Sequence, residues 1–172
     1  MYELQILEQM RIETKRRLFE ESVSRIKKCL SLLTTEQIWQ RPNGSLVSIG
    51  NLTLHCAGNA RQWIGSALGG LPDSRERDYE FETSNKQSAE ELGQHLDIMQ
   101  GELETVLSAL TSEDLLKPIR VQGFNETGLS VLIHVMEHFS YHVGQISWHT
   151  KLLLDTDLKY YGGKDLNITG PA

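Results

Sequence analysis

Three histidines, His134, His138 and His142, recur at every fourth residue in one window, and His55 lies in an earlier segment with helical apolar spacing. At about 100° per residue, the three late side chains stay within an arc of about 80° on a helix. Neutral imidazole is the commonest side-chain metal ligand, and an i, i+4 pair spans about 6 Å, the bite of one ion. One ion does not take all three, because His134 and His142 stand about 12 Å apart along such a helix. Adjacent pairs are competent, and spacing alone does not choose between His134/His138 and His138/His142. A buried histidine taken singly is satisfied by a backbone carbonyl or a carboxylate. Three polar rings buried without partners would cost about 1–3 kcal/mol each, and a metal would remove much of that cost. His95, between Gln94 and Leu96, reads as a surface or locally satisfied histidine. His149, about two turns past His142, has no assigned role.

The elements that must position these rings are helical. The first segment runs from about Glu3 to Leu33, with Leu4, Leu7, Ile12, Leu18, Val23, Ile26 and Leu30 at helical intervals among charged residues. Thr34 to Gln37 carries a capping signal for a short helix through Trp39, ended by Pro42, Asn43 and Gly44. Ser48 is a good N-cap for a second long helix to about Leu68, rich in small residues (Gly50, Ala57, Gly58, Ala60) that suit close approach. The charged stretch from Gly69 to about Lys86 reads as a structureless loop, long for a compact domain and therefore of functional interest. Ser88 and Glu91 have capping-box spacing before a third helix to about Leu110. The segment from Ile119 to Asn125 is a candidate extended stretch, and Thr127 precedes a fourth helix over about Gly128–Leu154. Four amphipathic segments predict an all-α four-helix bundle, a fold that builds metal sites from facing helices. One domain over residues 1–155 and a polar tail over 156–172 with little to pack are expected.

Composition narrows the function. The chain has 172 residues and a formal net charge of −6, without the basic stripe that phosphate contacts require, so it reads as a poor nucleic-acid binder and no nucleic-acid partner is expected. Cys29 and Cys56 are far apart and form no CxxC unit, which argues against a disulfide framework or a thiolate zinc site. No apolar run approaches a membrane span, and a cytoplasmic, membrane-free protein is expected.

The stretch GluHisPheSerTyrHisValGlyGlnIle (137–146) resembles the fourth-helix signature of the DinB-like (YfiT-like) superfamily: two histidines four apart, then a Gly-Gln pair. The stretch SerIleGlyAsnLeuThrLeuHisCysAlaGlyAsn (48–59), with Trp63 beyond it, resembles that superfamily's second-helix motif. Helix order, the long connection after the second helix and overall length agree over about residues 1–155. The resemblance implies one divalent ion, zinc or nickel, held by His55, His138 and His142, with His134 a neighbour one turn away. This chain departs from the superfamily beside the second ligand. Tyr141 and Val143 stand where many members have a histidine and an arginine, at positions expected to face away from the metal.

Three imidazoles leave a coordination position open, as in catalytic rather than structural sites. The resemblance implies a metal-dependent S-transferase that uses a small thiol such as bacillithiol, mycothiol or glutathione, acting on a small-molecule substrate as a homodimer. The alternatives are a metal-dependent hydrolase and a non-enzymatic structural or interaction bundle that retains its ion. No residue is assigned a catalytic role. Gln145 is a candidate hydrogen-bond partner for a ligand ring or bound water, or else a packing amide. Glu137 reads as a solvated charge, Cys56 as a small buried hydrophobe and Trp63 as a core aromatic near the site.

Overall fold

Apolar stripes at helical spacing turn four long segments inward. The computed structural model describes residues 2–83 and 85–170; Met1, Pro171 and Ala172, the ends of the expected bundle and tail, lie outside these, as does Ser84. Helix α1 covers residues 2–32, with Tyr2–Lys15 and Ser24–Leu32 joined by wider π turns over Arg16–Val23. Helix α2 is Thr35–Trp39, and α3 covers 49–68, with Ile49–Ala60 continuing as π turns over Arg61–Leu68. Short α4 is Arg77–Glu82, α5 is Ala89–Ala109 and α6 is Ser112–Leu116. Strands β1 (Pro118–Val121) and β2 (Phe124–Thr127) precede α7, Gly128–Leu154.

Helix α1 packs on α7, α7 on α3, α3 on α5 and α5 on α1, which closes a four-helix bundle. Leu18, Ile26, Ile64, Leu96, Leu103 and Phe139 are fully buried at its centre. The starts of the long inner helices are fixed locally. Ser48, Ser88 and Thr127 each accept from the backbone N–H three residues on, and the side chain found there bonds back. Two otherwise orphaned donors are satisfied at each start. Thr34 and Thr111 do the same for α2 and α6.

Several local features differ from the sequence expectation. The π turns break the uniform 3.6-residue period in α1 and α3. The Gly69 backbone N–H donates to Ile64 O, five residues back, at 2.9 Å, and in α1 the Ser22 hydroxyl donates to the Arg17 carbonyl at 2.7 Å. The connection after α3 is not structureless, for it contains α4 and buries Glu80. The candidate extended stretch is a hairpin in which Val121 pairs with Phe124 across Gln122 and Gly123. Both turn residues have positive φ, 49° and 85°, as a type I′ turn requires. The tail also packs. Leu158 is 1% exposed, and the Tyr160 hydroxyl lies 2.7 Å from Ser147 Oγ and 3.2 Å from Cys29 Sγ. No helix among the described residues is long and apolar enough to cross a membrane.

Phe139 lies between two candidate ligands in sequence but points into the apolar core. Phe139→Ala should therefore destabilise the bundle by about 3–5 kcal/mol in a denaturant titration, with a value below about 1 kcal/mol contradicting its core role.

Candidate metal centre

The α3 and α7 helices bring three imidazoles to one point. His55 comes from the small-residue face of α3, and His138 and His142 come from successive turns of α7. His138 Nε2 lies 3.0 Å from His55 Nε2 and 3.2 Å from His142 Nε2. All three ligand atoms lie within 4.8 Å of one another. A tetrahedral ion with nitrogens at about 2.0–2.1 Å sets its ligands about 3.4 Å apart, so the donor set fits a divalent ion. Neutral rings whose Nε2 lone pairs face one another need a proton or a cation between them.

The outward ring nitrogens show how two of the rings are held. His55 Nδ1–H donates to Glu80 Oε2 at 2.9 Å, and His142 Nδ1–H donates to Gln145 Oε1 at 2.7 Å. A proton placed on Nδ1 leaves Nε2 bare, which is the tautomer a metal ligand needs. Glu80 is in turn clamped by Arg75, whose Nε donates to Oε1 at 2.7 Å and whose Nη2 donates to Oε2 at 2.8 Å. That Nη2 also lies 3.1 Å from His55 Nδ1, but the Nδ1 proton goes to the carboxylate, the charged acceptor. The Arg75 and Glu80 side chains are only 4% and 8% exposed. Burial alone would push the Glu80 carboxyl up; the hydrogen bonds and charge of Arg75, with those of His55, hold it below its usual range.

Gly58 makes room for this clamp. A Cβ at position 58 would overlap the Glu80 carboxylate, so a larger residue on that turn of α3 would evict it. Phe81, from the same short helix, packs tilted against the His55 ring at 4.5 Å, and the Arg77 guanidinium covers Phe81 at 4.8 Å. Burial, reinforced by the neighbouring rings, pushes the His138 pKa down to about 3. Burial also lowers that of His142, against the opposing Gln145 bond. Both rings are neutral at pH 7.

His55, His138 and His142 thus meet, with Gln145 bonded to one of them. His134 instead stacks on Trp63, with ring centroids 3.7 Å apart and planes at 19°. Trp63 is buried and donates from Nε1 to Gln122 Oε1 at 2.9 Å, tying α3 to the hairpin. His95 is exposed and bonds Gln87 at 2.9 Å, outside the cluster. His149 is buried elsewhere on α7. Glu137 is solvent-exposed. Cys56 is fully buried, and desolvation pushes its thiol far up, which makes it an inert core residue. Tyr141 is largely exposed yet packs edge-on against the His142 ring at 5.0 Å, while Val143 is buried. Sequence reasoning missed Arg75 and Glu80. Both lie in a run of charged residues, and the only pointer to them was the length of the connection.

The model of the family described as Protein of unknown function (DUF1572) matches residues 7–162. The chain belongs to the DUF1572 family. Two solved structures resemble this DUF1572 chain. One is a DinB-like protein from Bacillus cereus ATCC 10987, 20% identical, with a TM-score of 0.62 over 78% of this chain and 87% of that one. The other is a conserved protein from Enterococcus faecalis, 16% identical, with a TM-score of 0.64 over 83% of this chain and 96% of that one. No curated protein matches the sequence. The fold of this DUF1572 member is DinB-like, as its helix motifs suggested.

Two predictions follow from this geometry. Gly58→Ala improves helix propensity by about 1 kcal/mol, yet it should lower thermal stability and weaken zinc binding by displacing Glu80; unchanged zinc affinity in a competition titration would contradict the clamp. The second concerns the metal-free protein. With folded pKa values of His138 and His142 below the ordinary value near 6.5, the unfolded chain binds more protons in the window beneath it. Their contribution is present above that value and is lost as pH falls. Chelator-treated protein should therefore melt at progressively lower temperature from pH 6.5 towards 4, and His138→Phe should flatten that slope; parallel slopes would count against it.

Proposed function

We propose that this protein is a metal-dependent S-transferase that joins a small thiol of the bacillithiol type to a small-molecule substrate. His55, His138 and His142 hold one divalent ion, zinc or nickel. The observation that carries the reading is the convergence of three Nε2 atoms at 3.0 and 3.2 Å, with two of the three Nδ1 atoms bonded outward to Glu80 and Gln145. A bound ion of this kind acts as a Lewis acid that lowers the pKa of a thiol or water it holds. The chain's own residues do the rest. Glu80 and Gln145 fix the orientation of two rings, and Phe81 and Tyr141 pack their rings against His55 and His142.

Thiol transfer is favoured over hydrolysis by the state of Glu80, the carboxylate bonded to the cluster. Both oxygens of Glu80 are committed to His55 and Arg75, so it is not free to take a proton from water as a general base. A thiol needs less help, because its own acidity is far closer to neutrality. A purely structural role for the ion would require a closed coordination shell, and three ligands leave it open. In this reading the protein works in the cytoplasm as a homodimer. The exposed apolar residues Ile133, Tyr141, Trp148 and Leu152 on α7 offer surface to a second copy.

Tag-free protein should contain about one divalent ion per chain by elemental analysis, consistent with a single three-histidine site. His138→Ala should remove most of it, and His95→Ala should leave it in place. Chelator should abolish transfer of bacillithiol or glutathione to an electrophilic acceptor. Metal-free protein as purified, equal losses in the two variants, or transfer indifferent to chelator would overturn the proposal.

A further inference from the structure

Two buried polar atoms near the cluster have no hydrogen-bond partner among the described residues: His138 Nδ1 and His134 Nε2. Their rings lie one turn apart on α7, with centroids 5.6 Å apart and planes at 34°. A neutral imidazole that binds a metal through Nε2 carries its proton on Nδ1, and metal-bound histidines almost always give that proton to an acceptor. His55 has Glu80 for this purpose and His142 has Gln145. The third ring has no acceptor in direct contact, and the other unpaired ring nitrogen belongs to His134, one turn away.

His134 is well fixed for such a task. Its ring is stacked on Trp63 at 3.7 Å, and Trp63 is itself anchored by its bond to Gln122. Burial keeps the ring neutral, against the opposing charges of Glu126 and Glu137, so one of its nitrogens retains a lone pair. A tautomer with the proton on Nδ1 presents Nε2 as an acceptor.

We propose that His134 is the positioning residue for His138, its Nε2 accepting the His138 Nδ1 proton through one bridging water when His138 holds the metal. The two nitrogens make no direct bond to each other, and a bridging water is the link that would pair both of them. The proposal rests on His55, His138 and His142 being the ligands. With it each ligand ring has its own acceptor, a carboxylate, an amide and an imidazole, and the one histidine of the ladder that cannot reach the ion has a role. A histidine that merely fills space against Trp63 would leave both atoms unpaired whether or not metal is present.

The test compares full-length, tag-free wild-type protein with His134→Phe, which keeps an aromatic ring on Trp63, and His134→Gln, which keeps an acceptor. Zinc affinity is read by competition with a chromophoric chelator. His134→Phe should weaken zinc by about 10–100-fold, and His134→Gln should stay close to wild type. Nitrogen-15 NMR of zinc-loaded wild type should show a slowly exchanging proton on His138 Nδ1. Wild-type affinity in His134→Phe, or equal weakening in both variants, would overturn the role of His134 while leaving the metal site standing. If His134→Phe does not fold, the NMR signal decides, and rapid exchange of the His138 Nδ1 proton overturns the role. Failure of the wild type to bind zinc would overturn both.

Discussion

Three imidazole lone pairs aimed at one point are the constraint on which the rest of this structure depends. Nitrogens at 3.0 and 3.2 Å repel unless a proton or a cation lies between them. Two helices far apart in sequence are nevertheless packed so that this meeting occurs, and the depressed pKa of His138 removes protonation as the easy remedy at neutral pH. A divalent ion would resolve the conflict, and it would turn a cost of burial into a binding energy shared with folding.

The surroundings make sense as consequences of that demand. Close approach to α3 needs small residues, and Gly58 goes further by leaving the space that the Glu80 carboxylate fills. A buried carboxylate is expensive alone, so Arg75 accompanies it into the interior with two hydrogen bonds. The pair in turn pins the connection between α3 and α5 to the bundle, with help from Asn51, whose amide donates to Glu80 O at 2.9 Å. On the other side, Trp63, His134 and Gln122 tie the hairpin to the same two helices. The long connection thus reaches His55 of the cluster through Glu80, whereas the hairpin reaches Trp63, on which His134 stacks.

Much of this was legible in the sequence, and the reason is periodicity. Ser48, Ser88 and Thr127 marked the starts of three of the long helices, since caps are local signals that tertiary packing rarely overrides. The histidine spacing proposed a metal helix and left open which pair would serve; the likeness to DinB-like motifs, not the period, singled out His138 and His142, the two rings that meet His55. Arg75 and Glu80 were hidden because nothing distinguishes the two buried charges from Glu76, Arg77, Asp78 and Glu82 beside them. Their burial depends on a glycine seventeen or more residues away in another helix. The π turns were also unreadable, because an added residue in a turn leaves no mark in composition. In the tail, Leu158 and Tyr160 looked like isolated apolar residues in a polar stretch, and only their docking on α1 and α7 gives them a purpose.

The central claim is that one ion is held by three histidines, and X-ray absorption of the tag-free, zinc-loaded protein tests it most directly. The account predicts a shell with about three imidazole nitrogens at about 2.0–2.1 Å and one exchangeable water oxygen. A shell with sulfur from a cysteine, or with fewer than three imidazoles, would contradict it.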